Sequence, residues 1–198
     1  MINKMKNQDN FFNELKYSID QLNQKNLENL VKGIKKIKEN KGRIFFLGVG
    51  GSAGNSSHAV NDFRKICNIE CYSPADNVSE LTARTNDEGF NKIFSKYLIN
   101  SRLSNRDAIF IMSVGGGNKK LNISTNLIEA ILLAKKKKAK VFSIVGRKDG
   151  YAYKHSNISM LIKVKDGKLL TPISESMQAV IWHFLVTDKR LQSNKTKW

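Results

Sequence analysis

Carboxylates are scarce in this 198-residue sequence: 17 Asp and Glu stand against 34 Lys and Arg, for a formal net charge of +17 at pH 7. Such an excess attracts anions, nucleic acid among them. The lysines, however, run along the whole length, and the densest run, 135–138, closes a predicted helix, where cations suit the helix dipole. A nucleic-acid partner is therefore not expected, whereas a small anionic ligand is. Proline is rarer still, with two, and no low-complexity linker or internal repeat divides the chain, which argues for one domain. The two cysteines, Cys67 and Cys71, stand four apart, which is not a CxxC spacing. With no export signal they read as buried, reduced thiols. No apolar run reaches the roughly 18–20 residues that cross a bilayer, and no signal-peptide pattern opens the chain. A cytoplasmic protein with no membrane partner is expected. What remains, 40% hydrophobic residues, suffices for a single core.

The apolar residues fall into two periods. Between 9 and 40 they recur at helical spacing (Phe11, Leu15, Ile19, Leu22, then Leu27, Leu30, Ile34, Ile37), which predicts one helix broken near Asn23 or two in succession. Beyond Arg43, short apolar runs at 44–47, 108–112, 140–145 and 159–164, with a weaker one at 69–72, alternate with amphipathic stretches at 53–67, 90–103, 119–137 and 173–187. That alternation predicts βαβ units on a mostly parallel, doubly wound α/β sheet. The expected organisation is a helical arm over 1–40, the α/β domain over 41–190 and a polar tail over 191–198. Open parallel sheets bind ligands at the carboxyl ends of their strands, so the loops there deserve the closest reading.

The first clear strand runs into Gly48-Val49-Gly50-Gly51-Ser52-Ala53-Gly54-Asn55. Glycines let the backbone turn tightly against an anion, and the following helix N-terminus offers free N–H groups. The same letters satisfy GxGxxA, with Glu70 about twenty residues on, so a dinucleotide is one reading. A second loop, Ser113-Val114-Gly115-Gly116-Gly117-Asn118, follows the third strand. Two such loops suit a compact phosphosugar, with Ser52, Asn55, Ser56 and Ser57 as hydroxyl and amide donors. No GK[ST] follows either loop, which argues against nucleotide hydrolysis.

Four groups could move protons or hold a metal. His58 and Asp62 are four apart on the helix after the first loop and share a face. Glu175 and His183 share a face of the last helix, and His183 stands in an otherwise apolar run, where an imidazole needs a partner. Two imidazoles and two carboxylates fit either a divalent metal site or an acid–base set.

Gly50-Gly51-Ser52, His58 with an acid four later, Asn86-Asp87, the Ser113 loop, Gly146 through Gly150 and the closing helix with its histidine together resemble the SIS-domain phosphoheptose isomerases. The resemblance runs over about residues 5–190. It implies a five-stranded parallel SIS fold and a homotetramer with active sites between subunits. It also implies interconversion of sedoheptulose 7-phosphate and an aldose heptose 7-phosphate through an enediolate. It places zinc on His58, Asp62, Glu175 and His183, with Asp62 as base, His183 as acid and Glu175 as a second candidate base. Gly50, Gly51, Ser52, Asn55, Ser113, Gly115, Gly116, Gly117 and Asn118 would hold the phosphate end, and Asp87 would lie near the sugar hydroxyls. The chain departs from the family pattern in having Asp62 for Glu, Glu175 for Gln, Val49 for Asn, and glycines where the second loop usually carries hydroxyls. Other sugar phosphates, and a non-catalytic phosphosugar-binding role, remain alternatives at this stage.

Overall fold

The computed structural model describes residues 2–195; the end of the expected polar tail, 196–198, lies outside them. Two helices open the chain, α1 (Ile2–Asp20) and α2 (Gln24–Glu39). The break falls at Asn23, whose side chain accepts the Asn26 N–H and caps α2. Then follow β1 (Ile44–Leu47), α3 (Gly51–Lys65), β2 (Cys71–Tyr72), α4 (Val78–Glu88), α5 (Ile93–Asn100) and β3 (Ala108–Ser113). The chain closes with α6 (Thr125–Lys136), β4 (Lys140–Val145), α7 (Tyr151–His155), β5 (Ile158–Leu161) and α8 (Leu170–Thr187). The five strands form one parallel sheet in the order β2-β1-β3-β4-β5, the architecture the alternation predicts.

Every residue of β1 and β3 is buried, as unbroken apolar strands must be when helices cover both faces. Alternate side chains divide between the faces. Phe46, Phe110 and Phe142 join α2, α3 and α8 through Leu30, Ile34, Phe63 and Trp182. Phe45, Ile109 and Ile111 join α5 and α6 through Phe94, Leu98 and Ile131. The apolar stripe of α2 thus lies in the same core as the sheet, and Phe11 and Leu15 of α1 pack on its edge. Both cysteines are buried and free, and burial pushes the Cys67 thiol up to about 11. Among the described residues no helix is long and apolar enough to cross a membrane.

A part-buried ion pair ties the amino ends of β1 and β3. Asp107 accepts from the Arg43 backbone N–H at 2.9 Å and from its Nε and Nη2 at 3.2 and 2.9 Å. It also accepts from the Ser104 N–H and hydroxyl at 2.8 and 3.0 Å. Burial alone would raise this carboxyl; the Arg43 and Ser104 donors hold it below its ordinary value.

Three elements differ from the expected pattern. The helix expected from 119 begins only at Thr125, because Asn118 and Ile123 exchange backbone hydrogen bonds in a tight hairpin. The Asn118 side chain accepts from the Leu121 N–H, a local bond that competes with helix. The helix α4 escaped the periodicity because it buries no residue and so has no apolar stripe. The five-residue α7 is too short to show one.

Candidate active site

The carboxyl ends of β1, β3 and β4 meet the amino ends of α3 and α8; Gly51 and Glu175 lie there, and His58, Asp62 and His183 follow further along the same two helices. β1 turns into α3 through Gly50 and Gly51. A methyl group built on Gly51 would stand 2.5–2.7 Å from the carboxyl atoms of Glu175, so only glycine lets α8 lay that carboxylate over the first turn of α3. The free N–H groups of a helix start favour an anion in that place. The first glycine loop is thus already faced by the protein's own carboxylate. Its other side looks into a cavity of about 160 Å³ lined by Val49, Leu81, Phe90, Ile93 and Phe94, an apolar setting ill suited to phosphate.

One helical turn on, Asn55 Nδ2 donates to the Glu175 carbonyl and to Gln178 Oε1, each at 3.0 Å, pinning α3 to α8. Ser52 is buried, and its carbonyl accepts the Ser56 hydroxyl. Beyond this clamp the donor atoms of His58, Asp62 and His183 all lie within 4.8 Å of one another, a group that could hold a metal ion. His58 Nε2 stands 3.9 Å from Asp62 Oδ2, and the two imidazoles cross at 90° with centroids 5.7 Å apart. His183 Nδ1 lies 2.9 Å from the Ala179 carbonyl, which can only accept. Nδ1 therefore carries the proton in the neutral ring and Nε2 keeps its lone pair for a ligand.

The donor set fits zinc. Asp62 is only 4% exposed, and its partners are the Asn61 amide at 2.8 Å and His58. A buried carboxylate with so little compensation calls for a cation. Two imidazoles, one carboxylate and an open side are the composition of a catalytic zinc site. The open side is real: the His58 side chain is 58% exposed. Glu175, expected as a fourth ligand, is not in this group; its carboxylate leans toward Gly51.

The second loop forms a separate cavity of mixed polarity. Gly115, Gly117 and Asn118 line about 200 Å³ together with Leu121 and Ile123 of the hairpin and Arg147, Asp149 and Gly150 of the loop after β4. Gly116 and Gly117 take φ of +70° and +85°, a conformation open to them because they carry no Cβ. Ser113 Oγ accepts the Gly116 N–H at 3.0 Å, shaping the loop from within. Asp87 is elsewhere: it lies on α4 beside Glu80, Arg84 and Glu88.

Two residues of this site were not singled out from the sequence. Arg147 is the guanidinium of the second cavity; a cation directly after a strand's carboxyl end was the available signal. Trp182 is fully buried and wedges its indole against both imidazoles, with centroids 4.7 Å from His58 and 3.5 Å from His183. Nothing in its apolar run marked it off from core.

Gly51→Ala tests the close approach. The displaced group is the end of a flexible side chain, so the melting temperature should move little. Any activity that depends on Glu175 should fall on the order of tenfold or more, because misplacement by about 1 Å can cost ~10²-fold.

A family model described as SIS domain matches residues 10–146. The phosphoheptose isomerase of Helicobacter pylori (strain P12) is 28% identical over 176 residues, covering 86% of this chain and 85% of the relative. That of Buchnera aphidicola subsp. Schizaphis graminum is 31% identical over 140 residues, covering 67% and 68%. The solved structure of phosphoheptose isomerase from Neisseria gonorrhoeae has a TM-score of 0.78 at 20% identity, over 93% of this chain and 96% of the other.

Proposed function

We propose, from the premise that this chain belongs to the SIS domain family, that it is an aldose–ketose isomerase of a sugar phosphate, with sedoheptulose 7-phosphate as its substrate. The observation that carries this reading is one juxtaposition. A carboxylate held over Gly51 and a cation-bearing cavity lie at the carboxyl edge of one sheet, and the two helices that bring Glu175 to Gly51 carry a His/Asp/His group further along. The relatedness to phosphoheptose isomerases supplies the seven carbons.

The phosphate occupies the cavity of the second loop, where Arg147 and the N–H groups of the glycine loop stand in for the hydroxyls that loop lacks. The sugar then extends toward Glu175. Glu175, rather than the buried Asp62, is the accessible carboxylate and acts as the base. It takes a proton from C1 of the ketose, leaving an enediolate, and returns it at C2 while the hydroxyl proton passes from O1 to O2. The product is the aldose phosphate. His58, Asp62 and His183 would hold a zinc ion, which would supply Lewis-acid charge when bound. His58 and His183 are positioned by their packing on Trp182, and the Asn55 clamp holds their two helices together. Assembly as a homotetramer with sites between subunits belongs to the same reading. It is supported by Val180 and Phe184, 42% and 44% exposed on α8 beside His183.

Incubation with sedoheptulose 7-phosphate should yield the aldose heptose phosphate, and a chelator should stop the reaction until zinc is restored. Turnover of a pentose or hexose phosphate in its place would move the substrate and keep the chemistry. Tight binding of such phosphates with no isomerisation of any would overturn the enzyme reading.

A further inference from the structure

The end of the sheet opposite the candidate active site holds a cavity of about 230 Å³. Its floor is apolar, made by Ile37, Phe142 and Ile158, with Gly33 of α2 set against the Phe142 ring. Its rim carries Lys36, Arg106 and Lys140 together with the carboxamides of Asn40, Asn105 and Asn157. No carboxylate lines it, and among the described residues none of the three cations makes an ion pair.

Three features make this more than a crevice between lysines. The carbonyls that end α2 would repel an anion, but those of Lys36, Ile37 and Lys38 are already bonded to the N–H groups of Asn40, Gly42 and Lys41. The nearest buried acid, Asp107, is fully engaged by Arg43 and Ser104 and presents no free charge to the rim. The positions of the rim groups are also fixed. Asn157 is tied to Val141 by both its backbone N–H and its side-chain oxygen. Lys140 bonds through its N–H to the Asp107 carbonyl, and Arg106 stands in the turn that the Ser104 hydroxyl braces.

We propose that this cavity is a second binding site, for a small organic anion with a flat apolar body. The body lies on Ile158 and the aliphatic stem of Lys36, over the buried Phe142 ring, and the anionic head meets Arg106 and Lys140, in the common pattern of an apolar pocket with a few placed polar groups. The six-residue strand β4 (Lys140–Val145) separates it from the loop of Arg147, a distance of roughly 20 Å. The two sites are therefore distinct, and this proposal does not depend on the isomerase reading.

The probe is 2-naphthalenesulfonate, titrated by fluorescence with inorganic phosphate in excess to fill the other anion cavity. Saturable binding is expected. The double variant Arg106→Glu with Lys140→Glu should weaken it at least tenfold, and Lys25→Glu with Lys189→Glu, an equal charge change elsewhere on the surface, less than twofold. All four side chains are exposed, and should the reversal disturb folding, Arg106→Gln with Lys140→Gln serves instead. Equal weakening by both pairs would mean attraction to net charge alone, and an absence of saturable binding to the unaltered protein would equally overturn the site.

Discussion

Glu175→Gln should lower kcat by about 10²–10⁴-fold, the usual contribution of a positioned general base, while zinc binding and the melting temperature stay close to those of the unaltered protein. The amide keeps the size and donors enough to occupy the place over Gly51, but it cannot take a proton. Asp62→Asn should behave differently. It removes the only carboxylate of the His58/Asp62/His183 group, so metal affinity and turnover should fall together. Steady-state kinetics on each variant, with zinc content measured in the same samples, separates the two roles. Full activity in Glu175→Gln would remove the base assigned here. A loss of turnover in Asp62→Asn with zinc retained would return that role to Asp62, where the family resemblance had placed it.

The second large effect concerns stability. Asp107→Asn should destabilise the fold by about 3 kcal/mol, because it leaves the Arg43 guanidinium half-buried without its counter-charge. For a chain of this length that corresponds to a fall of about 6–12 °C in melting temperature. The pH dependence has a definite sign. The folded Asp107 carboxyl lies below its unfolded value, so its stabilisation is fully present above about pH 4 and is lost as the pH falls through the folded value. Asp107→Asn should therefore flatten the acid side of the stability profile while lowering the plateau. An unchanged acid limb in thermal melts of the variant would show that other carboxylates govern acid unfolding.

Much of this site is legible in the sequence, and what is legible there is local. The spacing of His58 and Asp62 fixes them on one face of α3 whatever the tertiary structure does. The apolar run around His183 announced an imidazole that needs a partner, and the structure supplies His58, Asp62 and Trp182. Glu175 is the contrary case. It shares a face with His183 but sits about 12 Å back along the helix axis, and helical side chains lean toward the N-terminus. Its destination over Gly51 depends on how α8 crosses α3, which no local pattern encodes. The sheet was legible because β1, β3 and β4 are almost wholly apolar. The helix α4 and the Asn118 hairpin were not, since one buries nothing and the other rests on a side-chain-to-backbone bond. Arg147 reached the site through chain folding between two loops.

The pairing of β1 also bears on how the chain must come to be folded. Its amino-end residue Ile44 pairs with Ala108, 64 positions later, and its other neighbour, β2, is two residues long. Parallel strands cannot nucleate as hairpins, so this wholly apolar strand leaves the ribosome well before its main partner exists. Until β3 emerges, Phe45 and Leu47 present an unsatisfied edge. That places this chain among topologies that fold slowly and are exposed to aggregation during synthesis.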